Sequence, residues 1–369
     1  MTVLVTGAAG FVGHHLVDAL NRRGDTVLAA KSDTSQDQLR TWALTADAIV
    51  HLAGANRPAD VSDFEKINRN LTAEITRVAA ESEKRPTIVF SSSTQAASDN
   101  SYGTSKRQGE AALDAYAQAG GRAVVFRFPN IFGKESRPFY NTVVATFCHN
   151  VARGEPCSVS DPSHEITFVY IDDVVAALLN AIDAPPVAGE TERRRVETEY
   201  RRTLGQLLAD IESFREMRVG LKVPDFSDRF LVSLYATYLS FLPTGDFAYS
   251  LVKREDERGS LAEFIKSDHF GQVFVSRTRP GITRGNHFHH TKTEKFLVLE
   301  GEGLIRFRHV GSDEVLEYRV KGDEYRVVDI PPGYTHSIEN IGHSELVTLF
   351  WASEIFDPQR MDTIFEAVQ

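Results

Sequence analysis

Two hydrophobic patterns divide the chain. From the amino terminus to about residue 200, short apolar runs at 2–6, 26–30, 48–52 and 87–90 alternate with segments whose apolar residues recur at helical spacing, including 11–20 and 63–82. Alternation of strand and helix predicts an α/β domain with a doubly wound parallel sheet. A ligand is then expected at the carboxyl ends of the strands.

The pattern changes after Pro243-Thr-Gly245. Short alternating stretches follow, among them QVFVSRTRP, KFLVLEGEGLIRFRHV and ELVTLFWA, and glycine and proline turns separate them. Such strands are typical of an all-β antiparallel barrel or jelly roll. We therefore predict two domains, 1–243 and 244–369, with 226–242 as a core or dimer helix.

Composition and charge narrow the function classes. The chain has 369 residues, 42% of them hydrophobic and 25% charged, which is ordinary for a globular protein. A net charge of -10 argues against nucleic acid held by charge but leaves room for one phosphorylated small molecule. Cys148 and Cys157 lack a metal-like spacing and are expected to be reduced. The first strand starts at once, so we expect no signal peptide, no membrane partner and a cytoplasmic location.

A glycine-rich turn, TGAAGFVG, lies between the first strand and the first helix. Gly7, Gly10 and Gly13 allow a tight turn, backbone approach to a pyrophosphate, and close packing of the helix on the sheet. This predicts a Rossmann-type nicotinamide cofactor site. Its predicted members are Gly7, Gly10, Phe11, Val12, Gly13, Lys31, Leu52, Ala53, Gly54, Asn70, Tyr102 and Lys106.

The end of the second strand favours NADPH. A carboxylate there would hydrogen-bond the ribose of NAD and repel a 2'-phosphate, but this sequence has Lys31 and Ser32, with Asp33 beyond. Lys31 as a solvated turn residue is the alternative.

Tyr102 and Lys106 lie four residues apart, so on a helix the phenol and the ammonium share one face. The ammonium should lower the pKa of the phenol and make it an acid or base near neutral pH. A serine at the end of the preceding strand, Ser92 or Ser93, can hydrogen-bond the same substrate oxygen. Three consecutive serines leave that choice open.

Together, TGAAGFVG, HLAG, SSS and YGTSK, in this order, resemble the extended short-chain dehydrogenase/reductase family over about 1–243. RFPNIFG and FVYIDDVVAAL resemble segments of its nucleotide-sugar members. The resemblance implies that Tyr102 donates the proton, Lys106 holds the cofactor ribose, and the serine positions the substrate oxygen.

The segment 281–301 carries a second candidate site. His287 and His289 are two apart, Glu294 follows, and His336 lies in PPGYTHSIEN. Residues two apart on a strand face the same side, so three imidazoles and a carboxylate can converge on zinc or another first-row divalent metal. The alternative to a metal site is that these histidines are surface residues of a histidine-rich hairpin.

This spacing resembles the first motif of the cupin superfamily. Pro331, Gly333, His336 and Asn340 match the second motif, but eight residues rather than five separate Gly322 from Pro331. The departure concerns the length of one strand or turn and leaves the ligands intact.

Across essentially the whole chain, stretches such as DNSYGTSKRQGE and PGITRGNHFHHTKTEKFLV resemble bacterial capsular-polysaccharide enzymes that join such a reductase to a cupin. The resemblance implies a zinc cupin that epimerises carbon 3 of a UDP-linked 4-keto-6-deoxy sugar. The reductase then uses NADPH to give a UDP-2-acetamido-2,6-dideoxy-L-talose, on the route to N-acetyl-L-fucosamine. It also implies a homodimer acting on a UDP-linked deoxy amino sugar.

Three points stay open. The cupin base is undetermined among four nearby polar residues: His290, Lys292, Lys295 and Tyr334. An epimerase or dehydratase that retains NAD, with an independent cupin epimerase, is an alternative enzyme. A nucleotide-sensing regulator that uses the cupin for dimerisation is a non-enzymatic alternative.

Overall fold

The computed structural model describes residues 1–56, 60, 64–359 and 362–369. These residues divide into two compact units. The first contains Met1–Ile211 and Ser233–Leu242, and the second contains Glu212–Val232 and Pro243–Gln369. Among the residues so described, no helix is long and apolar enough to cross a membrane.

The first unit is built on strands and helices that alternate along the chain. In order they are β1 Thr2–Thr6, α1 Phe11–Arg23, β2 Thr26–Ala30, α2 Gln36–Thr45, β3 Ala48–His51, α3 Leu71–Glu81, β4 Thr87–Ser93, α4 Ser101–Gln118, β5 Arg122–Phe128, β6 Asn130–Phe132, α5 Val143–Arg153, β7 Glu165–Tyr170, α6 Ile171–Asp183, β8 Thr191–Arg194 and β9 Tyr200–Thr203. Two further helices, α7 Leu204–Gly220 and α8 Arg229–Ser240, contribute residues to both units.

The predicted parallel sheet is confirmed. Its strand order is β2-β1-β3-β4-β5-β8, and every neighbouring pair is parallel. Successive side chains of a strand face opposite layers, so Val3 and Val5 pack in one core and Leu4 in the other. Both faces of the sheet are covered, which leaves the carboxyl ends of the strands as the place where polar side chains meet.

The second unit is all β in its 253–369 part. Its strands are β10 Lys253–Asp256, β11 Gly259–Ser267, β12 Gly271–Thr278, β13 Thr283–Phe288, β14 Glu294–Glu300, β15 Glu302–His309, β16 Val315–Lys321, β17 Val327–Ile330, β18 Tyr334–Asn340, β19 Leu346–Ala352 and β20 Ile364–Phe365. They form two sheets, β10-β11-β12-β19-β14-β17 and β16-β15-β18-β13-β20. Phe296 and Phe350 of the first sheet share a core with Ile305 and Ile338 of the second. The predicted jelly roll is confirmed.

Two details differ from the sequence-based picture. The helix expected over 63–82 is a π-helix, Phe64–Asn70, followed by α3. The segment 212–232 groups with the second unit because its backbone bonds to β11. Lys266 donates to the Leu221 carbonyl (2.7 Å) and accepts from Val223 N–H (3.1 Å). The domain boundary at 243 stays a prediction from the sequence.

Candidate active sites

The glycine-rich turn enters α1 as expected. Gly7 has φ +69°, and a Cβ there would lie 2.8 Å from the Ala53 nitrogen, while a Cβ at Gly13 would lie 2.1 Å from the Gly7 carbonyl oxygen. Both positions therefore exclude a side chain. Gly10 caps α1 without a side-chain hydrogen bond, so the first N–H groups of the helix stay available to an anionic ligand.

A cavity of about 570 Å³ lies over this turn. It brings together most of the residues predicted to act on cofactor and substrate: Gly7, Gly10, Phe11, Val12, Gly13, Leu52, Gly54, Ser92, Ser93, Tyr102 and Lys106. Ala53 is not in this lining, but its backbone packs directly against Gly7. Lys31 directly follows β2, is exposed, and lies outside this lining.

Asn70 is not brought to the cavity. It is exposed, whereas Asn68 is buried and faces Gly54, where a Cβ would come within 3.2 Å of its Oδ1. Asn68 Oδ1 accepts from Ala55 N–H (2.7 Å), and its Nδ2 donates to Ser105 Oγ (3.0 Å). Neither asparagine is among the residues that line the cavity, and the assignment of Asn70 to the cofactor site stays a prediction from the sequence.

The two candidate serines have different surroundings. Ser92 is buried and donates to Glu110 Oε1 (2.5 Å). The Arg127 guanidinium donates hydrogen bonds to both oxygens of the Glu110 carboxylate, at 2.8 and 2.6 Å. Ser93, on the other face of β4, lies beside the Tyr102 phenol and stabilises its ionised form. Of the two serines, Ser93 is thus the one that forms a hydrogen bond with the Tyr102 phenol.

The expected depression of the phenol pKa is not found. Burial raises the pKa of Tyr102 above its ordinary value, and the hydrogen bond with Ser93 offsets only part of this effect. The Lys106 ammonium lies 5.8 Å from the centre of the Tyr102 ring and donates to the Ser91 carbonyl (2.8 Å). The phenol is therefore held as a proton donor.

Lys106 is itself strongly perturbed. It is almost fully buried, and burial lowers its pKa to about 8, although the nearby Glu110 carboxylate acts in the opposite direction. Its Nζ lies beneath Gly54, where a Cβ would approach to 3.1 Å. The sequence analysis missed Glu110, although it lies four residues beyond Lys106 on α4 and so continues the stripe that begins at Tyr102.

A second cavity of about 570 Å³ adjoins the first. The two share Thr94, Pro129 and Asn130. Four arginines line the second cavity, together with His164 and two glutamates: Arg127, Arg193, Arg194, Arg195, Glu165 and Glu199. The guanidinium groups outnumber the carboxylates, so this cavity can accept an anionic group of a molecule that extends from the first cavity.

The predicted metal ligands converge. His287 and His336 are direct partners across β13 and β18, and Glu294 opens β14. One ligand atom from each of His287, His289, Glu294 and His336 lies within 4.8 Å of all the others. Glu294 Oε2 is 3.4 Å from His289 Nε2 and 3.3 Å from His336 Nε2.

The hydrogen bonds of this cluster fit a bound cation. His289 Nδ1 contacts the Asp362 carbonyl, and His336 Nδ1 contacts the Tyr334 carbonyl (3.3 Å). A carbonyl only accepts, so each Nδ1 carries the proton and each Nε2 presents a lone pair. Both Nε2 atoms are buried without a hydrogen-bond partner. The imidazole lone pairs repel a carboxylate at this distance unless a cation lies between them. Histidines that bind a metal through Nε2 usually donate a hydrogen bond from Nδ1, as these two do.

The ionisation states agree with this reading. Burial lowers the pKa of His287 to about 4, so the imidazole is neutral and available as a donor. The pKa of Glu294 lies well below its usual range although burial acts in the opposite direction, and the nearby Lys292 ammonium contributes to this lowering. A neutral imidazole and an ionised carboxylate are the forms that bind divalent metals.

In a second histidine cluster, three ring nitrogens already have hydrogen-bond partners. His14, His15 and Glu135 also approach one another. His14 Nδ1 is 2.9 Å from the Gly10 carbonyl, His14 Nε2 is 2.7 Å from Glu135, and His15 Nε2 is 3.1 Å from the Lys134 carbonyl. These contacts satisfy the imidazoles, so the cluster is read as an ion pair at the cavity rim.

Each of the two units matches a family model. Residues 3–193 match the NAD dependent epimerase/dehydratase family, and residues 254–364 match the polysaccharide biosynthesis C-terminal domain. The chain is 39% identical to a Pseudomonas aeruginosa UDP-2-acetamido-2,6-beta-L-arabino-hexul-4-ose reductase over 98% of each chain.

Among solved structures, the capsular polysaccharide assembling protein CapF from Staphylococcus aureus matches over 100% of both chains, with 44% identity and a TM-score of 0.91. Bordetella bronchiseptica WbmF, solved with NAD+ and UDP, is 19% identical with a TM-score of 0.55 and supports the fold of the first unit alone. A glycine-rich nicotinamide fold and a cupin joined in one chain, matched from end to end, place this protein in the NAD dependent epimerase/dehydratase family, in its CapF-like branch.

Proposed function

We propose that this protein reduces the 4-keto group of a UDP-2-acetamido-2,6-dideoxy-4-keto-hexose with NADPH, after its cupin has epimerised carbon 3. The observation that carries the reductase part is that Ser93, Tyr102 and Lys106 meet in one cavity with the glycine-rich turn. The identity to the P. aeruginosa hexul-4-ose reductase supports the substrate class.

The residues of the cavity account for the proton side of the reduction. Bound NADPH supplies the hydride to carbon 4. The Tyr102 phenol, kept protonated by burial, donates its proton to the carbonyl oxygen as negative charge develops there. Ser93 donates a hydrogen bond to the same oxygen. The Lys106 ammonium stabilises the phenolate that remains after proton transfer and is placed to hold the cofactor ribose beneath Gly54.

The arginine-lined cavity is suited to the nucleotide diphosphate. It joins the catalytic end of the first cavity at Thr94 and Asn130, so the sugar ring can lie at Tyr102 while the diphosphate lies among the guanidinium groups. Arginine binds phosphate oxygens through paired N–H donors. The lining of this cavity supports the diphosphate as its occupant.

The choice of NADPH rests on the end of β2. Lys31 follows the strand, Asp33 is exposed, and the Lys31 N–H donates to Thr34 Oγ1 (2.9 Å) to form a turn. No carboxylate occupies the position immediately after the strand to bind a ribose 2'-hydroxyl. The cation at this turn supports binding of a 2'-phosphate.

In the cupin, His287, His289, Glu294 and His336 would hold the divalent ion, zinc for preference. A bound ion would stabilise the negative charge that forms on the 4-keto oxygen when carbon 3 loses its proton. The same ketone acidifies carbon 3 for epimerisation and receives the hydride in the reductase. Reduction after epimerisation removes the ketone and so fixes the new configuration.

Lys292 is the base that the geometry favours. Its Nζ lies 3.5 Å from Glu294 Oε1, and its side chain is largely buried. Lys295 points to the other face of β14 and pairs with Asp329, while the Tyr334 ring packs on His309 at 5.0 Å. His290 is exposed. Among the described residues, Lys292 is the one of these four candidates whose side chain forms an ion pair with a predicted metal ligand.

The NAD-retaining alternative is separated from this proposal by cofactor stoichiometry. The purified protein is incubated with a UDP-4-keto-6-deoxy amino sugar and NADPH, and NADPH oxidation is compared with product formed. The proposal requires one NADPH oxidised for each sugar reduced. Turnover without net NADPH consumption would instead support the retained-NAD enzyme.

A further inference from the structure

The segment 362–369 lies against β13, which carries the predicted metal ligand His287 and is followed directly by His289. It begins at Asp362, pairs through β20 with β13, and buries Val368. The register places Phe365 opposite His287 and Ile364 opposite Phe288. Nothing in the sequence pattern of this segment indicates a role in metal binding.

The first contact is at a β-bulge. The ladder between β13 and β18 shifts between Gly285 and His287, and Asn286 within it has φ +60°, which a residue other than glycine seldom adopts. Asn286 is held from the 362–369 segment by two bonds: its carbonyl accepts from Glu366 N–H (2.9 Å), and its Oδ1 accepts from Val368 N–H (3.3 Å). A bulge re-aims the side chains that follow it, here His287 and His289.

The second contact is at the end of β13. The Asp362 carboxylate accepts from three consecutive backbone N–H groups, those of His290 (2.9 Å), Thr291 (2.8 Å) and Lys292 (2.9 Å), and from the Thr291 hydroxyl (3.0 Å). This set of bonds fixes the turn between His289 and Glu294. The backbone carbonyl of Asp362 accepts a hydrogen bond from His289 Nδ1–H. This bond selects the tautomer in which Nε2 faces the cluster.

The segment is itself anchored on the opposite side. Arg308 donates to Glu366 Oε1 (2.7 Å), the Ala367 carbonyl (2.8 Å) and the Val368 carbonyl (3.1 Å). Thr335, next to His336 on β18, donates its hydroxyl to the Glu366 carbonyl. The segment therefore spans from β18, which carries His336, to β13, which carries His287 and precedes His289.

We infer that the 362–369 segment completes the cupin metal site, and that Asp362 is a positioning residue that holds His289 and the 290–292 turn in ligand geometry. The inference rests on the proposal that this cluster binds a divalent ion. By linkage, a metal that binds only the assembled site must also stabilise the docked segment. Removal of the ion should therefore loosen residues 362–369 and the 290–292 turn together.

The test is zinc affinity, measured by competition with a chromophoric chelator on the full-length protein. Asp362→Ala should weaken zinc binding by about ten- to a hundredfold, the usual effect of losing a group that orients a ligand. Asp357→Ala is the matched control, because Asp357 is exposed and caps only the Gln359 N–H in its own turn. It should bind zinc as the wild type does. If Asp362→Ala is poorly folded, Asp362→Asn keeps the shape and one acceptor, and should lie between the two.

Hydrogen exchange provides a readout that does not depend on turnover. In Asp362→Ala, with or without zinc, the amides of 290–292 should exchange faster, whereas Asp357→Ala should leave them unchanged. If the 290–292 amides exchange faster in Asp362→Ala but zinc affinity equals that of the wild type, the positioning role is wrong. The metal site itself is not contradicted by that result. A wild-type protein that binds no zinc overturns the metal site, and the inference falls with it.

Discussion

The Ser92 hydroxyl donates a hydrogen bond to Glu110 Oε1 across 2.5 Å, inside the first unit. Its neighbour Ser93 faces the phenol instead. The two serines therefore have separable effects. Ser93→Ala should lower kcat for ketone reduction by about a hundredfold, because a donor to the developing oxyanion is lost.

Ser92→Ala is the matched control. It should leave kcat nearly unchanged but lower the free energy of unfolding by about 1–3 kcal/mol, because the buried Glu110 carboxylate loses a donor. Steady-state kinetics and urea unfolding of both variants decide the assignment. A large loss of kcat in Ser92→Ala, with Ser93→Ala still active, would reverse it.

The phenol of Tyr102 is the proton donor in our account. Tyr102→Phe should reduce the rate of NADPH oxidation by about a hundredfold or more, because the general acid is lost. Exchange of the carbon-3 hydrogen with solvent should continue, since the cupin has its own chemistry. NADPH oxidation at the wild-type rate would remove Tyr102 from the mechanism.

Lys106 gives a pH dependence with a defined sign. Burial lowers its pKa to about 8, from an ordinary value of 10.5, so between these pH values the unfolded chain binds the proton that the folded protein has lost. The contribution of Lys106 to the free energy of unfolding therefore rises as pH increases through this range.

Lys106→Met removes this titration. The variant should be more stable than the wild type at pH 7, by about 3 kcal/mol at most, and the difference should shrink as pH rises from about 8 toward 10.5. Urea unfolding of both proteins across this range measures it. A difference in stability that does not change with pH would show that Lys106 titrates normally in the folded protein.

Cofactor choice should depend on Lys31. Lys31→Glu should raise KM for NADPH and bring it closer to that for NADH, because a carboxylate repels the 2'-phosphate. Lys31→Gln, which removes the charge without reversing it, should give a smaller change. Initial rates with each cofactor measure both effects. A wild-type enzyme that prefers NADH would contradict the assignment.

The fold and most of the site could be predicted from local patterns. The glycine-rich turn and the His-x-His spacing fix where backbone and imidazoles must lie, whatever the rest of the chain does. The choice between Ser92 and Ser93 could not be made, because β4 is buried on both faces and its sequence, TIVFSSS, shows no alternation.

Other misses have equally specific causes. The π-helix over Phe64–Asn70 could not be foreseen, because the amphipathic pattern of 63–82 is typical of an α-helix. The phenol pKa was expected to fall because charge proximity was considered without burial. The contact of Asp362 with the 290–292 turn could not be predicted from the sequence, because Asp362 and His290 are 72 positions apart. The homodimer remains a prediction from the sequence.

The central claim is that one chain epimerises carbon 3 with a metal and then reduces carbon 4 with NADPH. The most direct test incubates the zinc-loaded protein in D₂O with NADPH and a UDP-2-acetamido-2,6-dideoxy-4-keto-hexose, and reads the product by mass spectrometry and NMR. We predict a reduced sugar that carries deuterium at carbon 3 and protium at carbon 4. His289→Ala and Glu294→Gln should bind less zinc and fail to incorporate that deuterium, while their affinity for NADPH is unchanged. Deuterium at carbon 3 in metal-free protein or in these variants, or a product formed without NADPH oxidation, would contradict the account.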